Sequence, residues 1–381
     1  MPIKVAVLYR RYAHEKATRL LAGTLARDGR AVVSRHCMSM LDQPGGAGRL
    51  AHALHETDVA ILSCGGRDIN AVLRCFPPGI RRPYVVSLFP GIVLRRQLDA
   101  FVTRLGCDRV LLNSPADLAR YRMLCAVLRV PCNGELYGAA WFEGAARAGE
   151  GAGPLPMTAH AARGGPASVF FEQAGVPHRP EDMADLARKL LDLARRNPER
   201  HFYIKIRAPE PVWPGARTTP QGSVSDFMVG RAMPPNVSIT DAPVSTLLDQ
   251  VDSCLTVSSS AAVEALLRGR HVYIVADYPA RQNHLAFFCK SGLLTRVAHV
   301  DFASPPVLRK AWMDRHVVDP GLHVDRVGAA IVRAQSSPRP PPARWRRWLL
   351  PVFFPDTVLP HPRTWLRQLR RAFQLLEAAG E

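Results

Sequence analysis

The chain has 381 residues, 47% hydrophobic and 22% charged, an ordinary globular mix that excludes a disordered or fibrous protein and leads us to expect two domains. It holds no run of about 18 uncharged apolar residues, so no spanning helix is expected. Lys and Arg number 50 against 32 Asp and Glu, a net charge of +18 that suits a polyanionic partner or reflects the Arg-rich usage of a GC-rich genome.

MPIKVAVLYRRY reads as a first strand rather than a cleavable signal, with strand character over 3–9. An amphipathic helix is expected over 14–29, then strands over 31–37 and 58–66, and a strand entering a tight turn over 81–91. A helix over 95–106, a strand over 109–114 and a helix over 115–130 with Pro at its first position complete this half. Such alternation argues for a parallel sheet covered on both faces. Residues 143–166 are rich in Gly, Ala and Pro and read as a linker. A second alternating unit follows: strand 167–173, helix 180–198, strand 201–207, a short extended 237–240, a helical turn 243–250, then a strand–turn–helix–strand in LTVSSSAAVEALLRGRHVYIVADY. The tail from 306 is mostly helical, interrupted by SSPRPPPARWRRW. The expected domains are 1–142, 167–305 and a C-terminal helical segment 306–381, two α/β halves with a cleft between them.

Polar residues gather at the expected strand ends of the second half. In VSSSAAVEALLRG, Ser259 or Ser260 is a natural N-cap, and the helix behind it presents free N–H groups and the positive end of its dipole to an anion. Glu264 lies about one turn further on, toward the same mouth, unless it is a solvent-exposed Glu behind a plain Ser cap. Lys205 and Arg207 alternate to one face at the end of HFYIKIR and suit phosphate or carboxylate, or form the polar face of an edge strand. FFEQAG ends its strand in Glu172 and Gln173 at the same edge. In the first half, SCGGRD is either a place of close backbone approach bringing in Asp68 or an ordinary turn, and His14 is a base or a cap at the first strand–helix junction.

Rival signatures are absent. The 13 His show no HExxH spacing, so no metal site is expected. The chain has no GxSxG, no P-loop and no GxGxxG, which counts against a serine hydrolase, a P-loop kinase and a standard dehydrogenase. No RNA-binding or zinc-finger module accompanies the charge, so nucleic acid is not an expected partner. The eight Cys include no CxxC pair and read as reduced thiols of a cytoplasmic protein. RWRRWLLPVFFP and RTWLRQLRRAFQLL interleave Arg with Trp, Leu and Phe, as a helix lying on an anionic membrane does, or a helix packed across the domains with Arg on its wet face.

VSSSAAVEALLRGRHVYIVAD resembles the serine-rich donor-phosphate motif of GT-B glycosyltransferases, specifically the sialyl- and Kdo-transferase type of capsule and lipopolysaccharide synthesis. YIKIRAPEP stands where those families carry a Lys-x-His-Pro-like motif, with Ala208 in place of the His. The likeness lies mainly in 167–300. It implies two Rossmann-like α/β/α domains facing a central cleft, with a C-terminal helical tail. It further implies that Ser258, Ser259 and Ser260, with Lys205 and Arg207, hold the donor phosphate. Glu264, with Glu172 and Gln173, takes the ribose or nucleotide. Asp68, with His14 behind it, deprotonates the acceptor hydroxyl. The implied donor is a nucleotide sugar, foremost a CMP-activated acidic sugar, with no metal or other cofactor. The implied acceptor is a surface glycan or glycolipid, handled at the inner face of the cytoplasmic membrane. A polyol-phosphate transferase and a non-catalytic assembly protein are the alternatives on this scaffold.

Overall fold

The structure, a computed structural model, describes residues 2–76, 82–94, 97–128, 130–142, 165–173, 175–206, 222–278 and 285–336. The chain forms two compact units, one holding residues up to Trp141 and again from Asp319, the other Phe142–Val318.

The first unit alternates β1 (Ile3–Tyr9), α1 (Tyr12–Ala26), β2 (Ala31–Cys37), α2 (Gly46–His55), β3 (Val59–Ser63), α3 (Gly66–Arg74), β4 (Tyr84–Leu88), α4 (Leu98–Val102), β5 (Arg109–Leu112), α5 (Pro115–Leu128) and β6 (Gly134–Leu136). Its strands form one sheet in the order β2-β1-β3-β4-β5-β6, with every pair parallel. Every residue of β3 and β4 is buried. Such continuous apolar runs are stable only with helices over both faces, and burial of each large aliphatic side chain contributes about 1.5–3 kcal/mol.

The second unit contains β7 (Ala167–Phe171), α6 (Pro180–Arg196), β8 (His201–Lys205), β9 (Val237–Thr240), α7 (Val244–Gln250), β10 (Ser253–Thr256), α8 (Ala261–Leu267), β11 (His271–Val275), β12 (Leu294–Thr295) and α9 (Lys310–His316). The sheet order is β12-β11-β10-β7-β8-β9, again all parallel. The amphipathic α6 buries Met183, Leu186, Leu190 and Leu193 on one stripe and keeps its charged residues outside. The last described helix, α10 (Val324–Ser336), belongs to the first unit, where Gly328 comes up against Thr24 and Leu25 of α1.

The order of strands decides where chemistry can sit. In each unit the chain lays strands outward on one side, then returns to the start and continues on the other. The reversal falls between β1 and β3 in the first unit and between β7 and β10 in the second. At such a switch point the loops leave in opposite directions and open a crevice outside the carboxyl ends of the strands.

Several expectations need correction. The first helix begins at Tyr12, two residues early, and gives way at Arg27 to a 3-10 turn. SCGGRD is not an ordinary turn but the entrance to α3. The helix expected over 95–106 is regular only from Leu98 to Val102. The strand expected over 201–207 stops at Lys205. The short strands β6 and β12 and the helix α2 went unread.

Candidate functional site

At the second switch point the ends of β7 and β10 are tied together. Thr256, fully buried, donates its hydroxyl to the Phe171 carbonyl at 3.0 Å and accepts from the Ser259 N–H at 3.3 Å. Gln173 Oε1 accepts from the Ser258 N–H at 2.8 Å and from its hydroxyl at 3.3 Å. The loop between β10 and α8 is thereby held against β7, and Ser258, Ser259 and Ser260 lie along it half-buried. The N-cap position of α8 is Ser260, while the capping hydroxyl comes from Ser259 one residue ahead, whose Oγ accepts from the Ala261 N–H at 3.2 Å. The expected anion site at the helix terminus takes a different form, since α8 has seven residues and two turns sum to only a slight dipole. What this loop offers an anion is a row of hydroxyls.

Glu264 does not open on that mouth. It is 3% exposed, and its charge, after burial itself, pushes the Cys254 thiol up. Glu172 sits at the end of β7, where Oε2 accepts from the Ser225 N–H at 2.8 Å and so tethers the segment after residue 222 to the sheet edge. Lys205, half-buried at the end of β8, has its pKa lowered by burial, with Asp241 and Glu172 partly offsetting the effect. Arg207 and the tail 340–381 lie outside the described residues.

Two features beside this loop were not singled out from sequence. Asp277, just past β11, accepts from Lys189 Nζ at 2.9 Å and from the Val297 N–H at 2.8 Å. Asp185 takes the same lysine at 2.8 Å and the Tyr278 hydroxyl at 2.9 Å. The hydrogen bond from Lys189 leads in holding the Asp185 carboxyl down to about 2. A polar residue after an apolar strand run was the available signal in VADY; its partner on α6 was not visible locally. At the opposite, amino edge of the sheet, Arg200 Nη1 reaches Asp252 at 2.5 Å, Ser168 at 3.1 Å and Ser253 at 3.2 Å. That edge is closed by its own side chains.

At the first switch point the arrangement is an ion-pair clamp. Arg10, one residue past β1, meets Asp68 of α3 through two hydrogen bonds, Nε–Oδ2 at 2.7 Å and Nη2–Oδ1 at 2.6 Å. It also reaches Asp42 at 2.6 Å and the Met38 carbonyl at 3.3 Å. The carboxylate is buried and both its oxygens are engaged, so Asp68 stands as an organiser of this edge; acting as a base would first require releasing Arg10. His14 is half-buried in the first turn of α1. The β3–α3 turn is fixed from behind by Arg104, 3% exposed, which donates to the Cys64 carbonyl at 2.8 Å and the Ala100 carbonyl at 2.6 Å. A Cβ on Gly66 would lie 2.7 Å from the Thr103 side chain, so any larger residue here would force Thr103 to move. Among the described residues, no three of His, Cys, Asp and Glu are gathered as metal ligands.

Residues 14–332 match the sequence profile of the family described as "Putative glycosyltransferase (DUF6716)". The chain belongs to this glycosyltransferase family. The fold of the glycosyltransferase is GT-B, two Rossmann-like domains with six-stranded parallel sheets. Solved structures of low identity share it. The putative UDP-N-acetylglucosamine 2-epimerase from Listeria monocytogenes aligns with TM-score 0.58 and 13% identity over 90% of this chain and 99% of that one. The S. aureus MnaA–UDP co-structure gives 0.56 and 9% over 89% and 99%. The UDP-GlcNAc 2-epimerase from Neisseria meningitidis bound to UDP-GlcNAc gives 0.53 and 12% over 87% and 98%. No curated protein matches the sequence.

Proposed function

We propose that this glycosyltransferase binds a nucleotide-sugar donor at the carboxyl edge of its second sheet and passes the sugar to a hydroxyl of a surface polysaccharide or glycolipid. The observation that carries this reading is the clasp of Gln173 on Ser258 at the β7/β10 switch point. It presents three serines at the place where an open parallel sheet takes its ligand. Hydroxyls and the Lys205 ammonium suit the phosphate oxygens of the donor, and they suit the leaving nucleotide better still as the bond from the anomeric carbon to the phosphate oxygen breaks and charge gathers on the phosphate. On this reading no metal is required, because fixed donors carry that charge.

A CMP-activated acidic sugar is the donor we infer from the serine motif, its carboxylate matched by Arg207 and the basic balance of the chain. The UDP and UDP-GlcNAc named for the fold neighbours favour a UDP-sugar as the second reading. For the nucleotide, Glu172 and Gln173 are proposed contacts, and Glu264 contacts the ribose only if α8 yields its buried face. The acceptor proton goes to a base of the first domain. His14 is favoured over Asp68, because both oxygens of Asp68 are held by Arg10. The basic, Trp-bearing tail 340–381 is proposed to hold the enzyme at an anionic membrane surface.

Isothermal titration of the purified protein with CMP, UDP and GDP tests the site, followed by turnover assays with the matching sugar donors. Binding of one nucleotide that is lost in Lys205→Met supports the reading. Equal binding by wild type and Lys205→Met would remove this edge from the donor site.

A further inference from the structure

The connection from α5 to β6 brings two cysteines together. Cys125 lies in the last turns of α5, 1% exposed, and Cys132 lies in the loop before β6, exposed. The loop folds tightly back on the helix. The Val130 N–H donates to the Cys125 carbonyl at 2.9 Å. Asn133 accepts from the Tyr121 hydroxyl at 2.7 Å and donates to the Cys107 carbonyl at 2.6 Å. A Cβ on Gly134 would lie 2.6 Å from the Tyr121 ring, so the start of β6 presses directly on α5. Within this fold-back Cys132 is close enough to Cys125 to act on its thiol. One thiol is sheltered and the other open to solvent.

We propose that Cys125 and Cys132 form a dithiol site that a hydroperoxide converts to an intrachain disulfide. The exposed Cys132 sulfur attacks the peroxide, the O–O bond breaks, and an alcohol or water leaves with the thiol's proton. The resulting sulfenic acid is within reach of the Cys125 sulfur. As the S–S bond forms, the S–O bond breaks and water departs. Two thiols lose two electrons in all, and one peroxide gains them. Burial pushes the Cys125 thiol up to about 12, with Cys132 adding to the effect, so Cys132 is the first to react and Cys125 the resolving partner.

The bridge would tie α5 to the strand that anchors the returning chain. Glu135 of β6 takes Arg109 at 2.5 Å and also pairs with Arg326 of α10, whose guanidinium reaches the Leu136 carbonyl at 3.2 Å. Oxidation would therefore stiffen the attachment point of α10.

Tryptic peptides make the test direct, because Arg129 lies between the two cysteines. Full-length protein is treated with hydrogen peroxide, alkylated and digested without reductant. The expected product links residues 123–129 to 130–147 and is two mass units lighter than the summed thiol peptides; dithiothreitol returns it to two alkylated thiols. Cys132→Ser should leave Cys125 alkylatable, and the rise in melting temperature that oxidation gives the wild type should vanish. Cys132 found as sulfinic or sulfonic acid with Cys125 still free would overturn the proposal, as would Cys132 bridged to a second chain. Cys289, the other exposed cysteine of the described residues, serves as the unpaired control.

Discussion

The two switch points share a topology and differ in what occupies them. In the first unit the crevice edge is bridged by charge: Arg10 spans from β1 to α3 and spends both oxygens of a buried carboxylate. In the second it is bridged by neutral groups, Gln173 and Thr256, while a half-buried lysine and three serines remain at the surface. A charged clamp fixes geometry at the cost of chemical availability. A neutral clasp fixes the loop and leaves its hydroxyls for a ligand. The same sheet edge thus serves chiefly as scaffold in one unit and as a candidate binding surface in the other.

The sharpest way to break the comparison is to remove the charge from the first clamp. Arg10→Met leaves Asp68 buried without its partner and should cost about 3 kcal/mol of stability, read by urea unfolding. Adding Asp68→Asn should return part of that loss, because the orphaned charge is gone. If Arg10→Met is neutral, the clamp does not organise this edge.

Titration separates the units next. Burial raises the Asp117 carboxyl to about 6, while Arg120 and Ser114 pull the other way. With the folded value above the unfolded one, its contribution is full below about pH 4 and is lost as pH rises to about 6, by on the order of 2–3 kcal/mol. Asp185 in the second unit is shifted the opposite way, to about 2, and its contribution falls away only below about pH 4. Hydrogen exchange between pH 4 and 6 should therefore show the α5 region of the first unit loosening while α6 holds. Asp117→Asn should flatten that slope; an unchanged slope would assign it elsewhere.

These contrasts also mark how far the chain could be read without its structure. The strand 3–9, the strand expected over 167–173 that ends at Phe171, the serine turn and the two-domain α/β plan were legible, because apolar runs, caps and Pro positions act over a few residues. Arg10–Asp68 was not, since the partners lie 58 residues apart and meet only through the β2-β1-β3 order. Spacing put Glu264 one turn along α8 and the resemblance gave it the ribose, but neither announced that it is buried. Spacing gives a distance along a helix but not which side of a seven-residue helix faces the sheet. The return of α10 to the first unit likewise depends on contacts with α1 that no local pattern announces. The two-residue β12 is too short to carry a period.

On the binding side, Lys205→Met should lower donor affinity about 10- to 100-fold, the worth of a charge-assisted hydrogen bond of about 1.5–3 kcal/mol, with little effect on folding. The wild type adds a pH signature. Burial lowers the Lys205 pKa, so the charge, and donor affinity with it, should fall as pH rises through that lowered value rather than at the ordinary lysine pKa. Stability moves the other way, because between the two values the unfolded chain binds the extra proton and the buried neutral amine is favoured. Affinity independent of pH up to 10 would detach the lysine from the donor.

The smallest effect discriminates most finely. Ser259 caps α8 and is also proposed to meet the donor phosphate. Ser259→Ala should cost about 1 kcal/mol of stability through the lost cap, whereas glycine at a cap costs only a few tenths. Both variants remove the hydroxyl. If the hydroxyl touches the donor, the two should lose affinity equally while differing in thermal stability. If it only caps the helix, Ser259→Gly should bind as the wild type does, and the donor site would rest on Ser258, Ser260 and Lys205.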